Sequence, residues 1–511
     1  MMVNEVPSSA ADVEISETVS ALFGRGSLYV AVWAFQPAAA VLSTPVVTRL
    51  LGARSFGTAA ASIVLMPVLA AVVTFGLDFA TQRFYVEDGG PDAARELLAV
   101  ALLLVTSAAL ILIATASAWS GLLGFSAGML RLTIAWAGLA AFNRVQLALL
   151  RAQDRLGPFA ATSCIQALGT QLCGVAMVLA QGATARSYVL GLAIGQAAAV
   201  CVGLAFVTPR LRGVRRLRRS TAALRYGVPL VPHTLAAFLL NASGRLIIFN
   251  DLGQSAMARY QVTYNAACML VMLLGAVDLS WEPRLFAIRD DQVRWRVLAH
   301  LRDGVFRLLL PLCLAMTLAA PVVLRFYVPV SYRAYKLTDV VAIIALAAVP
   351  FAGYCANMRV LLWFKQTSAL AAASASAALA CLLLNLVLVP SIGITGSALA
   401  TLVAYGVLWW GSARVARKRT QLPGPDSATA ITILFTALGA AGAVAVPTFG
   451  LWLALRAALG AGFGVWGAVR LLRLRRGGVL SAESATPTEN TRMPGDEAPI
   501  RWSSGLARRT S

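Results

Sequence analysis

Charge is what this chain lacks most. Only 13% of its 511 residues are Asp, Glu, Lys or Arg, about half of the roughly 25% usual in a soluble domain. Acids are the scarcer sign, 22 against 43 Lys and Arg. Histidine is almost absent, with His233 and His300 alone, which argues against a histidine-built metal centre. The seven cysteines (Cys164, Cys173, Cys201, Cys268, Cys313, Cys355, Cys381) are odd in number, lie inside apolar runs and show no C-x-x-C spacing. They read as small core residues rather than a disulfide or metal framework. Residues 1–23 are polar and slightly acidic (Glu5, Asp12, Glu14, Glu17), without the basic start and short apolar core of a cleavable signal. No loop is long enough for an extramembrane catalytic domain, so neither a cofactor nor enzymatic activity is expected.

What fills the chain is apolar: 59% hydrophobic residues and a mean hydropathy of +0.75. Runs of about 20 apolar residues, enough to cross about 30 Å of hydrocarbon, recur along nearly its whole length. The expected fold is an all-α polytopic membrane protein. Its spans fall near 26–48, 57–82, 96–117, 127–150, 157–180 and 187–207, then 228–250, 257–282, 305–327, 338–362, 367–389 and 394–413, with a last pair at 427–447 and 450–472. That is about 14 transmembrane helices. The predicted organisation is a cytoplasmic tail (1–23), a six-helix bundle (24–208), a basic linker (209–226), a second six-helix bundle (227–415), an extra helix pair (427–472) and a disordered tail (477–511).

The net charge of +21 would suggest nucleic acid in a soluble protein. Here the cations cluster in alternate short loops, with about 28 on one side and about seven on the other. Such a bias sets membrane topology, places both termini in the cytoplasm and leaves no nucleic-acid partner to invoke. Within 284–307, VRWRVLAHLRD puts Val293, Val297, Leu298 and Leu301 within reach of one helical face, as in a helix lying at the inner interface.

The two six-helix groups repeat. Leu51-Gly52 and Leu252-Gly253 are offset by about 201 positions, Arg83 and Arg284 by the same, and Asp78 and Asp278 by about 200. Six helices per half keep both halves in one orientation, the parallel repeat found in transporters, with a substrate path between them.

A charge inside a bilayer needs a partner or a water-filled cavity. At the inner end of the spans lie Arg25, Asp78, Arg83, Arg144, Asp278, Glu282 and Arg284, and at the outer end Arg49 and Asp251. Arg245 falls in the outer third of its span. Arg25, Arg83 and Arg284 also suit a plain interface role, Arg245 a snorkelling one, and Asp78 and Asp278 could simply neutralise Arg83 and Arg284. Interior cations outnumber acids, which favours an anionic substrate, and arginine's forked donors suit phosphate oxygens.

Three stretches carry a resemblance: TRLLGARSFGTAAASIVLMPVLAAVVTFGLDFATQRFYVE (Thr48–Glu87), YGVPLVPHTLAAFLLNASGRLIIFNDLGQSAMARYQVTYNAA (Tyr226–Ala267) and NLVLVPSIGITGSALATLVAYGV (Asn385–Val407). In this order they resemble bacterial oligosaccharide flippases of the multidrug/oligosaccharidyl-lipid/polysaccharide exporter superfamily. The resemblance implies two six-helix bundles around a cationic cavity and alternating access. It also implies an undecaprenyl-pyrophosphate-linked glycan as substrate, in the bacterial inner membrane, with polysaccharide polymerase or export machinery as further partners. By position it lends family-like places to Arg49, Arg83 and Arg245. The family often has an acid just before the helix 7 arginine, where this chain has Gly244; Asp251 is the residue expected to substitute. Alternatives are a flippase for the peptidoglycan lipid precursor, a multidrug exporter and, from another class, a membrane glycan polymerase or ligase. The last needs catalytic groups on a sizeable outer loop, and the longest here, about Arg325–Leu337, is short.

Overall fold

A computed structural model describes residues 32, 35–36 and 38–483, except 88–89, 211, 214–216, 289, 421–423 and 425–426. The expected N-terminal tail, Arg25 and the residues after 483 lie outside the described residues. Residues up to Gly467 form one compact unit and Ala468–Ser511 a second. Among the described residues there is no strand, and twelve helices are long and apolar enough to cross a membrane.

In chain order the helices are α1 (Ala38–Leu50), α2 (Ala53–Val73), α3 (Leu77–Glu87), α4 (Gly90–Trp119), α5 (Ala127–Ala152), α6 (Leu156–Gln181) and α7 (Ala185–Phe206). The second half has α8 (Leu217–Gly227), α9 (Val231–Ile247), α10 (Gln254–Ala287), α11 (Asp291–Tyr327), α12 (Thr338–Trp363), α13 (Thr367–Ile392) and α14 (Ile394–Ala416). The last pair is α15 (Ser427–Ala445) and α16 (Gly450–Glu483), so residues 477–483 of the expected disordered tail are helical. The expected spans each overlap a helix among the described residues, the first only in part. Beyond the twelve, they are α1, described only in part, and α10, which is 34 residues long.

Local chemistry sets the ends. Ser126, Thr184 and Asp290 accept from the backbone N–H three residues on, at Met129, Ser187 and Val293, supplying the first-turn donors with a partner. Gly253 precedes α10 at φ +86°, a conformation that glycine adopts without Cβ strain.

The linker is not an unstructured run. Its cations are held by the start of α4: Arg219 of α8 donates to Glu96 at 2.6 Å, and Arg210, before α8, pairs with Asp92.

Two expectations are corrected. The span expected over 57–82 is broken into α2 and α3, because Phe75 and Gly76 adopt left-handed conformations (φ 52° and 67°) that interrupt the helical ladder. The segment from 293 is not a helix of its own; it is the start of α11, whose 37 residues reach about 55 Å at 1.5 Å per residue. Its buried face is Arg294, Trp295, Leu298 and Arg302, while Val293 and Val297 are exposed. Trp295 packs with Leu285, Val360, Leu361 and Ala416, an anchor that apolar spacing along one helix could not reveal.

Helix pairing repeats between the halves. In the first, α2, α4 and α7 pack on α5, and α6 on α7; in the second, α10, α11 and α14 pack on α12, and α13 on α14. Gly52 and Gly253, matched in the sequence repeat, stand at the same place, before α2 and α10. The halves meet chiefly where α2 packs against α9 and α10.

α15 packs on α11 and α12. α16 is attached to α11 through Arg456, which is fully buried and donates to the carbonyls of Thr317 (3.1 Å), Leu318 (3.4 Å) and Val446. Pro321 lies inside α11 and has no N–H to offer the carbonyl four residues earlier. That carbonyl belongs to Thr317, so the guanidinium replaces the missing donor. Arg456→Met is expected to destabilise the purified protein by about 1–3 kcal/mol, the penalty of an unpaired buried polar group. Adding Pro321→Ala should recover part of the loss in thermal unfolding.

Candidate functional site

The charged residues inside the spans gather at two ends and one intermediate level. At one end, Asp78 and Arg83 sit on α3, just past the break between α2 and α3, and Arg144 on α5. Asp78 pairs with Arg144 at 3.6 Å. The Arg144 guanidinium also lies 5.5 Å from the ring centre of Phe238 on α9. Arg83 reaches across to Tyr226, 4.5 Å from its ring centre, a cation–π contact between the halves. Beside it the two backbones touch. A Cβ on Gly76 would lie 2.1 Å from the Gly227 carbonyl oxygen, and one on Gly227 would lie 2.7 Å from that of Gly76. Neither position has room for a side chain. Asp278, Glu282 and Arg284 are placed on α10, and their side chains lie outside what is described.

At the opposite end Arg49 closes α1. It donates to its own helix at Pro45 and to the Phe326 carbonyl of α11 at 2.9 Å. Tyr327 donates to the Val41 carbonyl at 2.7 Å. Tyr332 donates to that of Leu51 at 2.6 Å and stacks edge-on with Phe56 at 6.1 Å; burial pushes its phenol pKa up. A Cβ on Gly57 would lie 1.8 Å from the Gln254 carbonyl oxygen. The halves are therefore in contact at both ends of the spans.

Arg245 stands in the last turn of α9, before a π-helical stretch, Ile248–Leu252. Its Nε and Nη2 donate to the Asn241 carbonyl at 2.9 and 2.6 Å, its Nη1 to Gln261 Oε1 at 3.3 Å, and it lies 4.4 Å from the ring centre of Tyr264. All of these partners are neutral. Asp251 is exposed and accepts from Asn250 at 2.9 Å; it does not supply the missing acid. The reason lies at Gly244, where a Cβ would fall 2.1 Å from Ser397 Oγ and 2.5 Å from Asn385 Oδ1. The space for an acid is filled from α13 and α14. Gly244→Asp is therefore expected to lower the yield of folded protein sharply, measured by fluorescence-detected size exclusion, since overpacking of this kind costs about 1–3 kcal/mol before the buried charge is counted.

Sequence reasoning did not single out the neutral polar residues around Arg245: Asn241, Gln261, Tyr264, Asn265 and Thr44. A signal existed in the four-residue spacing of Asn241 with Arg245 and of Gln261 with Asn265, which stacks polar groups on one helix face.

Apolar spans paired in two similar halves, with Arg49 and Arg245 facing neutral oxygens, make this a multi-pass helical membrane protein. Among solved structures, the chain is similar to one described as "Lipid II flippase MurJ, inward closed conformation", with TM-score 0.65 and 14% identity over 87% of this chain and 99% of that one. It is also similar to an inward-facing multidrug resistance MATE family transporter of the MOP superfamily, with TM-score 0.58 and 13% identity over 75% and 96%. No curated protein matches the sequence. The pattern of the family described as "Polysaccharide biosynthesis protein" matches residues 46–337, and the chain belongs to that family.

Proposed function

We propose that this protein flips an undecaprenyl-pyrophosphate-linked oligosaccharide from the inner to the outer leaflet of the bacterial cytoplasmic membrane, by alternating access, for polysaccharide export. The observation that carries the reading is Arg245, a half-buried cation among the spans whose partners are all neutral. Such a guanidinium keeps its full charge for an incoming anion, and its forked donors match phosphate oxygens. Arg49 likewise donates only to carbonyls. The Asp78 end faces the cytoplasm in this reading, as do both termini, because the basic loops lie on that side. Contacts at both ends mean that one set must open to admit the substrate and the other to release it. Polysaccharide polymerase and export machinery would receive the product.

A pyrophosphate carrying about two negative charges moves outward down an inside-negative potential, worth about 2.3 kcal/mol per charge per 100 mV. Lipid-linked glycan flipping in proteoliposomes should accelerate when a potassium–valinomycin potential of that sign is imposed; no response with active protein counts against the reading. The peptidoglycan lipid precursor is a second candidate. It is favoured by the greater coverage of this chain in the lipid II flippase match, 87% against 75% for the multidrug transporter. Depletion separates the two: loss of a surface or exported polysaccharide supports the first, lysis the second.

A further inference from the structure

The polar residues around Arg245 are tight within each helix and slack between helices. On α9, Arg245 holds the Asn241 carbonyl at 2.6 and 2.9 Å, and on α10, Gln261 donates to Asn265 at 2.8 Å. The links that cross between helices are long. Arg245 to Gln261 is 3.3 Å, Tyr264 to the Asn241 amide 3.4 Å, and Asn265 to Thr44 of α1 3.4 Å. All three exceed the usual 2.7–3.2 Å of such bonds. Asn241 is exposed, Asn265 and Arg245 are half-buried and Gln261 is buried, so the row runs from an exposed amide at Asn241 inward to Gln261.

An amide carries two donors and an acceptor without charge, and a sugar hydroxyl is both donor and acceptor. A row of amides therefore satisfies neighbouring hydroxyls that an arginine, a pure donor, cannot. The amides adjoin the phosphate contact directly, and the sugar joined to a pyrophosphate adjoins it in the same way. Ligand hydroxyls can exchange with the long interhelical bonds at little loss, while the short intrahelical ones keep the side chains aimed.

We propose that Asn241, Gln261 and Asn265 form a saccharide subsite next to Arg245, which takes the sugar attached to the pyrophosphate and makes the transporter prefer a glycan-loaded carrier to a bare one. This rests on the flippase reading, in which Arg245 holds the phosphates. Asn241 contributes its side-chain amide here, distinct from the carbonyl that holds Arg245.

The test is equilibrium binding to the purified full-length protein. The probes are undecaprenyl pyrophosphate and the same carrier bearing one hexose or one N-acetylhexosamine. At least one sugar-bearing form should bind the unaltered protein more tightly than the bare carrier, by about tenfold for one or two net hydrogen bonds. Asn241→Ala and Asn265→Leu should each remove most of that increment and leave bare-carrier affinity unchanged. Asn241→Ala is the safer variant, because it deletes an exposed amide and spares the carbonyl. Equal binding of all three probes to the unaltered protein overturns the subsite, as does a full increment in Asn241→Ala. The phosphate reading fails separately, by bare-carrier binding that Arg245→Ala does not weaken.

Discussion

Arg245→Ala is expected to abolish measurable flipping while the protein inserts and folds as before. In the structure the arginine's bonds are two to a carbonyl of its own helix and one long bond to Gln261. Removing them takes little from the fold, since the Asn241 carbonyl sits inside a continuous helix that already supplies it with a backbone donor. The loss falls on the substrate. A hydrogen bond to a charged group is worth about 1.5–3 kcal/mol, so two forked bonds to phosphate lost together reduce binding by roughly a hundredfold or more. Arg245→Lys keeps the charge but not the fork, and should retain partial activity. The check is flipping of a lipid-linked glycan in proteoliposomes, normalised to reconstituted protein. An alanine variant with unaltered rate would mean that this arginine only reaches toward the headgroups.

The second large effect is expected at the crossing of Gly76 and Gly227. Gly76→Val places a branched side chain on a left-handed residue, φ +67°, 2.1 Å from the Gly227 carbonyl oxygen. Overpacking in a filled space costs about 1–3 kcal/mol, which biases a two-state opening about 5- to 150-fold, and the left-handed strain adds to it. The strain resides in a contact between the halves, so closure at the Asp78 end should be lost and transport should fall to a few per cent or less. Gly227→Val meets the same backbone from the other side and should behave alike. Gly52→Ala is the control: a Cβ there meets nothing within 4 Å and its φ is −64°, so transport should be unchanged. If Gly76→Val transports normally, the two joints do not need to touch during the cycle.

Both predictions concern places that pattern reading reached only in part. Arg245 was conspicuous in the sequence as a lone cation in an apolar run, yet its natural partner there was an acid, Asp251. Folding instead brings Gln261 and Tyr264 to it and points Asp251 at Asn250. Asp78 was near Arg83 in sequence, and Arg144 pairs with it from another helix. Gly76 and Gly227 are ordinary glycines until the fold lays one backbone on the other. Arg456 shows the same dependence, since its role exists only because Pro321 lies opposite it on a different helix.

The sequence by itself determined that the chain is a polytopic helical membrane protein, roughly where its apolar spans fall, and the repeat of its halves. These depend on local quantities: the length of each apolar run against the thickness of a bilayer, and the composition of the loops between runs. Only the tertiary structure decided which charges meet, which stay without a countercharge, where the chain breaks between α2 and α3, and where the halves touch. Each of these is a contact between residues far apart in the chain. Hydrophobic patterning says which segments enter the membrane but carries little information about how one helix is rotated against its neighbour. That rotation is set by close packing of small residues and by the pairing of polar groups across helices.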